Sequence, residues 1–156
     1  IKKIEETTIK INVKVVFLQN IITDLILGFE LKELFEAYCN HIRNKYNALP
    51  GLITQNLPQL VSKLEEWNIE EVVICSSFNK IGYLMSPGIK EYEEVAKKND
   101  AQKYQLMAMS TIASGAIPVG EAYAYINQQN IQSVVFGAST SAHIEETVSL
   151  IGKTSV

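Results

Sequence analysis

Gln132-Ser133-Val134-Val135-Phe136-Gly137-Ala138-Ser139-Thr140-Ser141 decides the fold class. A β-rich apolar run passes straight into small residues, and a helix-period segment follows with Ile144, Val148 and Ile151 as its stripe. That order is a strand, a tight turn and a helix, the βα unit of parallel sheets. The same alternation recurs upstream. Tyr104 to Met109 is a second such run; Ser114-Gly115-Ala116 forms its loop, and Pro118 suits the first turn of a helix carrying Val119, Ala122, Tyr125 and Ile126. Glu71 to Ser76 is a third, with a loop from Lys80 to Gly88 and a helix using Ile89, Tyr92, Val95 and Ala96. Ala48 to Thr54 is a fourth; Asn56 is placed to cap a helix that buries Leu57, Leu60, Val61 and Leu64. Farthest upstream, Val13 to Leu18 precedes a helix pattern after Gly28 built on Leu31, Leu34, Phe35, Tyr38 and Ile42.

A series of βα units predicts a parallel sheet with right-handed crossovers. The strands are near-continuously apolar, as expected of strands buried on both faces. The pattern is equally compatible with a doubly wound open sheet and with part of an eight-unit barrel. No linker or low-complexity stretch interrupts it, so residues 1–156 read as one α/β domain or a portion of one. The charged stretch from Lys2 to Lys10 reads as the remnant of a preceding helix. A start at Ile1 without an initiator Met suggests a fragment.

Composition narrows the functions. A net charge of −3 and a pI near 5.4 leave no electrostatic footprint for nucleic acid or an anionic membrane. No apolar run is long enough to span a bilayer. Cys39 and Cys75 have neither CxxC nor Cys/His ligand spacing, which argues against a structural metal and fits a reducing cytoplasm.

In parallel α/β folds the functional face lies at the C-terminal ends of the strands. The residues there are Gln19, Asn20, Thr23 and Asp24; Thr54, Gln55 and Asn56; Ser76, Ser77, Asn79 and Lys80; Ser110, Thr111 and Ser114; and Ser139, Thr140 and Ser141. Only Asp24 and Lys80 are ionisable, no carboxylate pair converges, and no His ends a strand. Such residues also cap helices and close turns. Two loops rise above that background: Ser110 to Gly115 and Gly137 to Ser141, where small residues admit a close ligand and a helix N-terminus favours an anion. His143 lies in the first turn of that last helix.

Ala108-Met109-Ser110-Thr111-Ile112-Ala113-Ser114-Gly115 resembles the run after strand seven of the aldo-keto reductases. Val134 to Thr147, with Gly137-Ala138-Ser139 at its centre, resembles their strand-eight segment. Phe78-Asn79 is similar to the aromatic-Asn pair ending strand six, and Gly51-Leu52-Ile53-Thr54 to the strand-five Gly-Leu-Ser-Asn. The likeness runs from about Val13 to Ile151. It implies a (β/α)8 TIM barrel of which this chain is the C-terminal portion, strands four to eight, with about three N-terminal units and their Asp, Tyr and Lys catalytic residues outside it.

The resemblance also implies NADP or NAD as cofactor, with phosphates on Ser110, Gly115, Gly137, Ala138, Ser139 and His143. Departures gather on the nicotinamide side. The family's catalytic His falls at Gln19, its amide-holding Gln at Cys75, its Ser-Asn pair at Ile53-Thr54, its stacking Tyr at Met109, its 2′-phosphate Arg at His143, and its adenine-side Asn at Thr147. No catalytic residue and no metal ligand is assigned. The expectation is an aldo-keto reductase-like barrel, an NAD(P)-dependent oxidoreductase if its chemistry is retained. The alternatives are a non-catalytic structural or regulatory subunit, and unrelated chemistry on Asp24 and Lys80. A partial barrel has open sheet edges, so self-association or docking to the missing half is expected beside a small-molecule ligand.

Overall fold

The computed structural model describes residues 12–152. The elements run β1 Val15–Leu18, α1 Asn20–Gly28, α2 Lys32–Tyr46, β2 Leu49–Thr54, α3 Leu57–Trp67, β3 Val72–Ser77, α4 Ile89–Lys98, β4 Tyr104–Met109, a 3-10 turn Ala113–Gly115, α5 Val119–Ile126, β5 Ser133–Val134 and α6 Ser141–Leu150. The expected α/β fold is present as a parallel sheet of five strands in the order β1-β2-β3-β4-β5. A doubly wound sheet reverses its order at a switch point. These five strands contain no reversal.

Register assigns the faces. Leu52, Ile74, Leu106 and Ala108 point to the helical layer and share a core with Leu27, Phe35, Leu60, Leu64, Tyr92 and Ile126. Helices α1 to α5 all contribute to that one cluster. The alternate positions lie in register on the opposite face: Phe17 beside Gly51, Ile53 beside Cys75, Cys75 beside Met107, and Ser77 beside Met109. Gly51 is needed there, because a Cβ at this position would meet the Phe17 ring at 2.4 Å. β3 is buried at all six of its residues, while Phe17, Ile53, Met107 and Met109 around it are half-buried.

Local signals explain several element ends. The Asn56 side chain accepts the Gln59 N–H at 3.3 Å as the expected cap of α3, and Pro58 sits in the first turn, where no N–H is needed. Asn47 and Asn68 end α2 and α3 in the left-handed conformation that Asn tolerates. Trp67 packs on Phe35 with ring centroids 5.8 Å apart.

Four expectations need correction. Asn20 to Gly28, expected only as residues past the end of the first strand, is a helix; its apolar residues lie all around it, with Ile26 and Leu27 inward and Ile21 and Leu25 outward, so no single stripe marks it. The last strand spans only Ser133–Val134, since an edge strand has one neighbour to hold it. The stripe of α6 is not core: Ile144, Val148 and Ile151 are exposed, and Thr147 is its buried residue. Pro118 stands one residue before α5 in extended conformation and supplies the carbonyl that accepts the Ala122 N–H at 3.0 Å. The helix expected over Lys2 to Lys10 lies outside the described residues. No helix among the described residues is long and apolar enough to cross a membrane.

Candidate functional site

At the C-terminal ends of β2 and β3 the polar side chains bind one another. Asp24, from α1, accepts the Thr54 hydroxyl at 2.5 Å and the Gln55 N–H at 3.1 Å. The Thr54 hydroxyl in turn accepts the Asn56 N–H at 2.9 Å. The Ser76 hydroxyl donates to the Thr54 carbonyl at 2.8 Å and lies 3.3 Å from the Tyr92 hydroxyl. Tyr92, from α4, donates to the Gln55 carbonyl at 2.8 Å and accepts the Leu57 N–H at 3.2 Å. Thr54, Ser76 and Tyr92 are all buried. Both carboxylate oxygens of Asp24 and both capacities of Tyr92 are therefore occupied by the scaffold, which welds α1, β2, β3 and α4 together.

The ends of β4 and β5 differ. Ser110, Ala113 and Ser114 have φ of 54, 47 and 59°, and Gly115 has 91°. A non-glycine residue in that region costs about 1–3 kcal/mol and persists only where its surroundings over-determine it. Here they do. Buried Asn79 donates through Nδ2 to the Ser110 carbonyl at 3.3 Å and to the Tyr83 carbonyl at 2.9 Å. The Thr111 and Tyr123 hydroxyls meet at 3.4 Å, and Ala113, Ile117 and Ala122 form a small core beneath the loop. Above it Ser114, Gly115 and Ala116 are exposed. The β4–β5 register, Ala108 opposite Val134, brings the next loop out of the same end of the sheet. Gly137, Ala138 and Ser139 are exposed there, and among the described residues their N–H groups enter no hydrogen bond. Thr140 caps α6 by accepting the His143 N–H at 3.2 Å, and the His143 ring is exposed on the first turn.

The small-residue positions expected from the sequence thus share one end of the sheet: half-buried Ser110, then Gly115, Gly137, Ala138, Ser139 and His143 on the surface. Asp24 and Lys80 are not brought together as a catalytic pair, since Asp24 holds Thr54 and Gln55 whereas Lys80 pairs with Glu121 of α5. Thr54 points to the helical layer, away from the face that carries Ile53. On the opposite face Cys75 is buried, and burial pushes its thiol up to about 11. Gln19 is exposed and gives its carbonyl to the first turn of α1. Ser77, in register with Met109, has a buried hydroxyl without a partner among the described residues. Tyr92 as the hub of the closed network was not foreseen; a phenol on an otherwise apolar stripe was its only trace. No group of three or more His, Cys, Asp or Glu among the described residues is placed to hold a metal.

Compared with known proteins, the chain matches no family model, no curated protein and no solved structure.

Proposed function

We propose that this chain is the C-terminal arc of a (β/α)8 barrel of the aldo-keto reductase kind, and that its β4 and β5 loops hold the phosphates of NADP or NAD. The barrel reading is supported by strands in sequence order, by helices packed on one face only, and by a central strand buried on its helix-free face as well. The ligand reading is carried by one observation. A loop with three left-handed non-glycine residues, braced from below, leaves the same end of the sheet as Gly137 to Ser139, which lead into α6 and whose N–H groups enter no hydrogen bond among the described residues. Ser110 and Ser139 add hydroxyl donors, and His143 adds a ring on the first turn of α6.

The residues fit the phosphate end of such a cofactor and not the nicotinamide end. Cys75 is buried, Met109 stands where a stacking ring would be, and Thr54 is bound to Asp24. Gln19 can orient a carbonyl but cannot deliver a proton near neutral pH. Bound dinucleotide would supply hydride chemistry, whereas these residues bind and orient. The same observations favour a second reading, a barrel that has kept its fold and serves as a structural or regulatory subunit.

Titration with NADPH, NADH and inorganic pyrophosphate separates the two. Saturable NADPH fluorescence enhancement, competed by pyrophosphate and weakened at least about tenfold by Ser139→Trp, is the expected result; tenfold is about 1.4 kcal/mol. A folded protein that binds none of the three removes the cofactor and leaves the regulatory subunit.

Open edges supply the partner. Among the described residues β1 and β5 each have one neighbour, Phe29 is 68% exposed at the C-terminal end of α1, and Val148 is 57% exposed on α6. Unpaired edges flanked by apolar surface invite pairing with further βα units. This chain is expected to self-associate in sedimentation at micromolar concentration; a monomer throughout would remove that partner.

A further inference from the structure

Helix α1 buries one side and leaves an apolar stripe on the other. Ile21, Ile22, Leu25 and Phe29 follow one another at three- and four-residue spacing and are all exposed, Ile21 at 69% and Leu25 at 53%. The Leu31 N–H donates to the Ile26 carbonyl at 3.0 Å and turns the chain straight back into α2, where exposed Leu31 and Leu34 continue the patch. These six residues leave roughly 600 Å² in water, the upper end of the largest patch on an ordinary monomer. Two such patches face to face would remove roughly 1,200 Å², where specific interfaces begin.

Gly28 narrows the occupant to another helix. It lies on the same stripe, three residues after Leu25. Its backbone is helical and not left-handed, and a Cβ there would meet nothing within 4 Å. Neither the turn nor the packing of this chain therefore requires glycine, although glycine weakens a helix relative to alanine. What it provides is room for a second backbone to come close.

Charge narrows the occupant further. The one ionisable residue of α1 is Asp24, and both its oxygens are taken by Thr54 and Gln55. Of the charges bordering the patch, Glu30 pairs with Lys63 at 2.8 Å and Lys32 with Glu36 at 3.4 Å. A neutral stripe is complementary to itself, as a two-fold interface requires. A membrane surface fits poorly, because α1 has no Lys or Arg and the net charge is −3. Further βα units would pair along the free edge of β1, whereas α1 packs on β2, α2 and α3.

We propose that α1 is a dimer interface, in which two copies of this chain pair α1 against α1 about a two-fold axis. Leu25 lies at the axis, Phe29 packs on the partner's Ile21, and Gly28 makes room for the partner's Ile22. This surface is separate from the sheet edges and from the loops after β4 and β5.

Sedimentation velocity across micromolar concentrations tests this, and a monomer–dimer equilibrium is expected. Leu25→Glu sets like charges on the axis and should weaken the dimer about a hundredfold or more. Gly28→Met puts a better helix former into open space, so the melting temperature of the monomer should not fall, while the dimer weakens about tenfold or more. Both positions are exposed, so both variants should keep the circular dichroism of the unmodified protein. In the unmodified protein, amide exchange in α1 should slow as concentration rises. A monomer throughout, association that either variant leaves unchanged, or protection at β1 and β5 in place of α1 overturns the inference; the last outcome assigns association to the sheet edges. None of these results depends on NADPH, whose binding is read separately.

Discussion

Two halves of one sheet end use the same residue types in opposite ways. At β2 and β3, Thr54, Ser76 and Tyr92 are buried and bound to Asp24, to backbone, or to one another. At β4 and β5, Ser114, Gly137, Ala138 and Ser139 are exposed, and among the described residues the N–H groups of the last three enter no hydrogen bond. Seryl and threonyl groups at strand ends therefore do not declare a site by their presence. What separates scaffold from site is where their hydrogen bonds go. A satisfied group adds rigidity, and a free N–H beside a strained turn is available to a ligand.

The strongest attempt to break this contrast is Asp24→Ala. It removes the acceptor for the buried Thr54 hydroxyl and for the Gln55 N–H together. Hydrogen bonds to a charged group contribute about 1.5–3 kcal/mol each, and part of the second is recovered by water, so a loss of about 3 kcal/mol in urea unfolding is expected. Ser139→Ala, on the open half, should stay within about 0.5 kcal/mol. Equal losses at both positions would mean that the open half is scaffold too.

A smaller effect tests the closed half from the opposite face of the sheet. Burial raises the thiols of Cys75 and Cys39 from 9.0 to about 11. Below pH 9 both are protonated in the folded and unfolded chains alike, so they leave stability unchanged. As pH rises from 9 towards 11 the unfolded chain loses protons that the folded chain keeps, and stability falls, on the order of 2 kcal/mol per thiol. Cys75→Ala should flatten that alkaline slope, and the native thiols should resist a disulfide reagent at pH 8. Rapid modification of Cys75 in the folded protein would show that the helix-free face is open where the packing has it shut.

The α/β alternation was legible because most of the chain repeats one physical pattern, a short apolar run followed by a 3.6-residue stripe. Asn56 was legible as a cap because its neighbours leave it no other role. Where burial was misread, the cause was the same: the sequence carries the pattern and the neighbours decide its burial. Helix α1 hid because Ile21, Ile22, Leu25, Ile26 and Leu27 surround its axis, and only packing selects which side turns inward. The α6 stripe looked like core, but nothing among the described residues covers Ile144 or Val148. Thr54 was set beside Ile53 as if both faced a ligand, yet a strand buried on both faces gives no alternation from which to choose. The small-residue loops were identified, but Tyr92 closing one half and Asn79 bracing the other depend on contacts across tens of residues.

The finest test concerns the strained loop itself. Ser114 is exposed at φ 59°, so Ser114→Gly keeps the surroundings and relieves a left-handed residue. Relief contributes about 1 kcal/mol and the greater freedom of glycine in the unfolded chain offsets part of it, leaving a net gain of about 0.5 kcal/mol. If the loop is merely a turn, the gain in stability is the whole result. If it is held in that shape to meet a phosphate, glycine also widens the range of loop conformations, and NADPH should bind roughly two- to threefold more weakly in a more stable protein. Opposite signs in the two measurements are what a pre-shaped ligand loop requires, because strain kept at a cost in folding is explained only by something gained on binding. Unchanged or tighter affinity would return Ser110 to Gly115 to the scaffold, beside the residues that close β2 and β3.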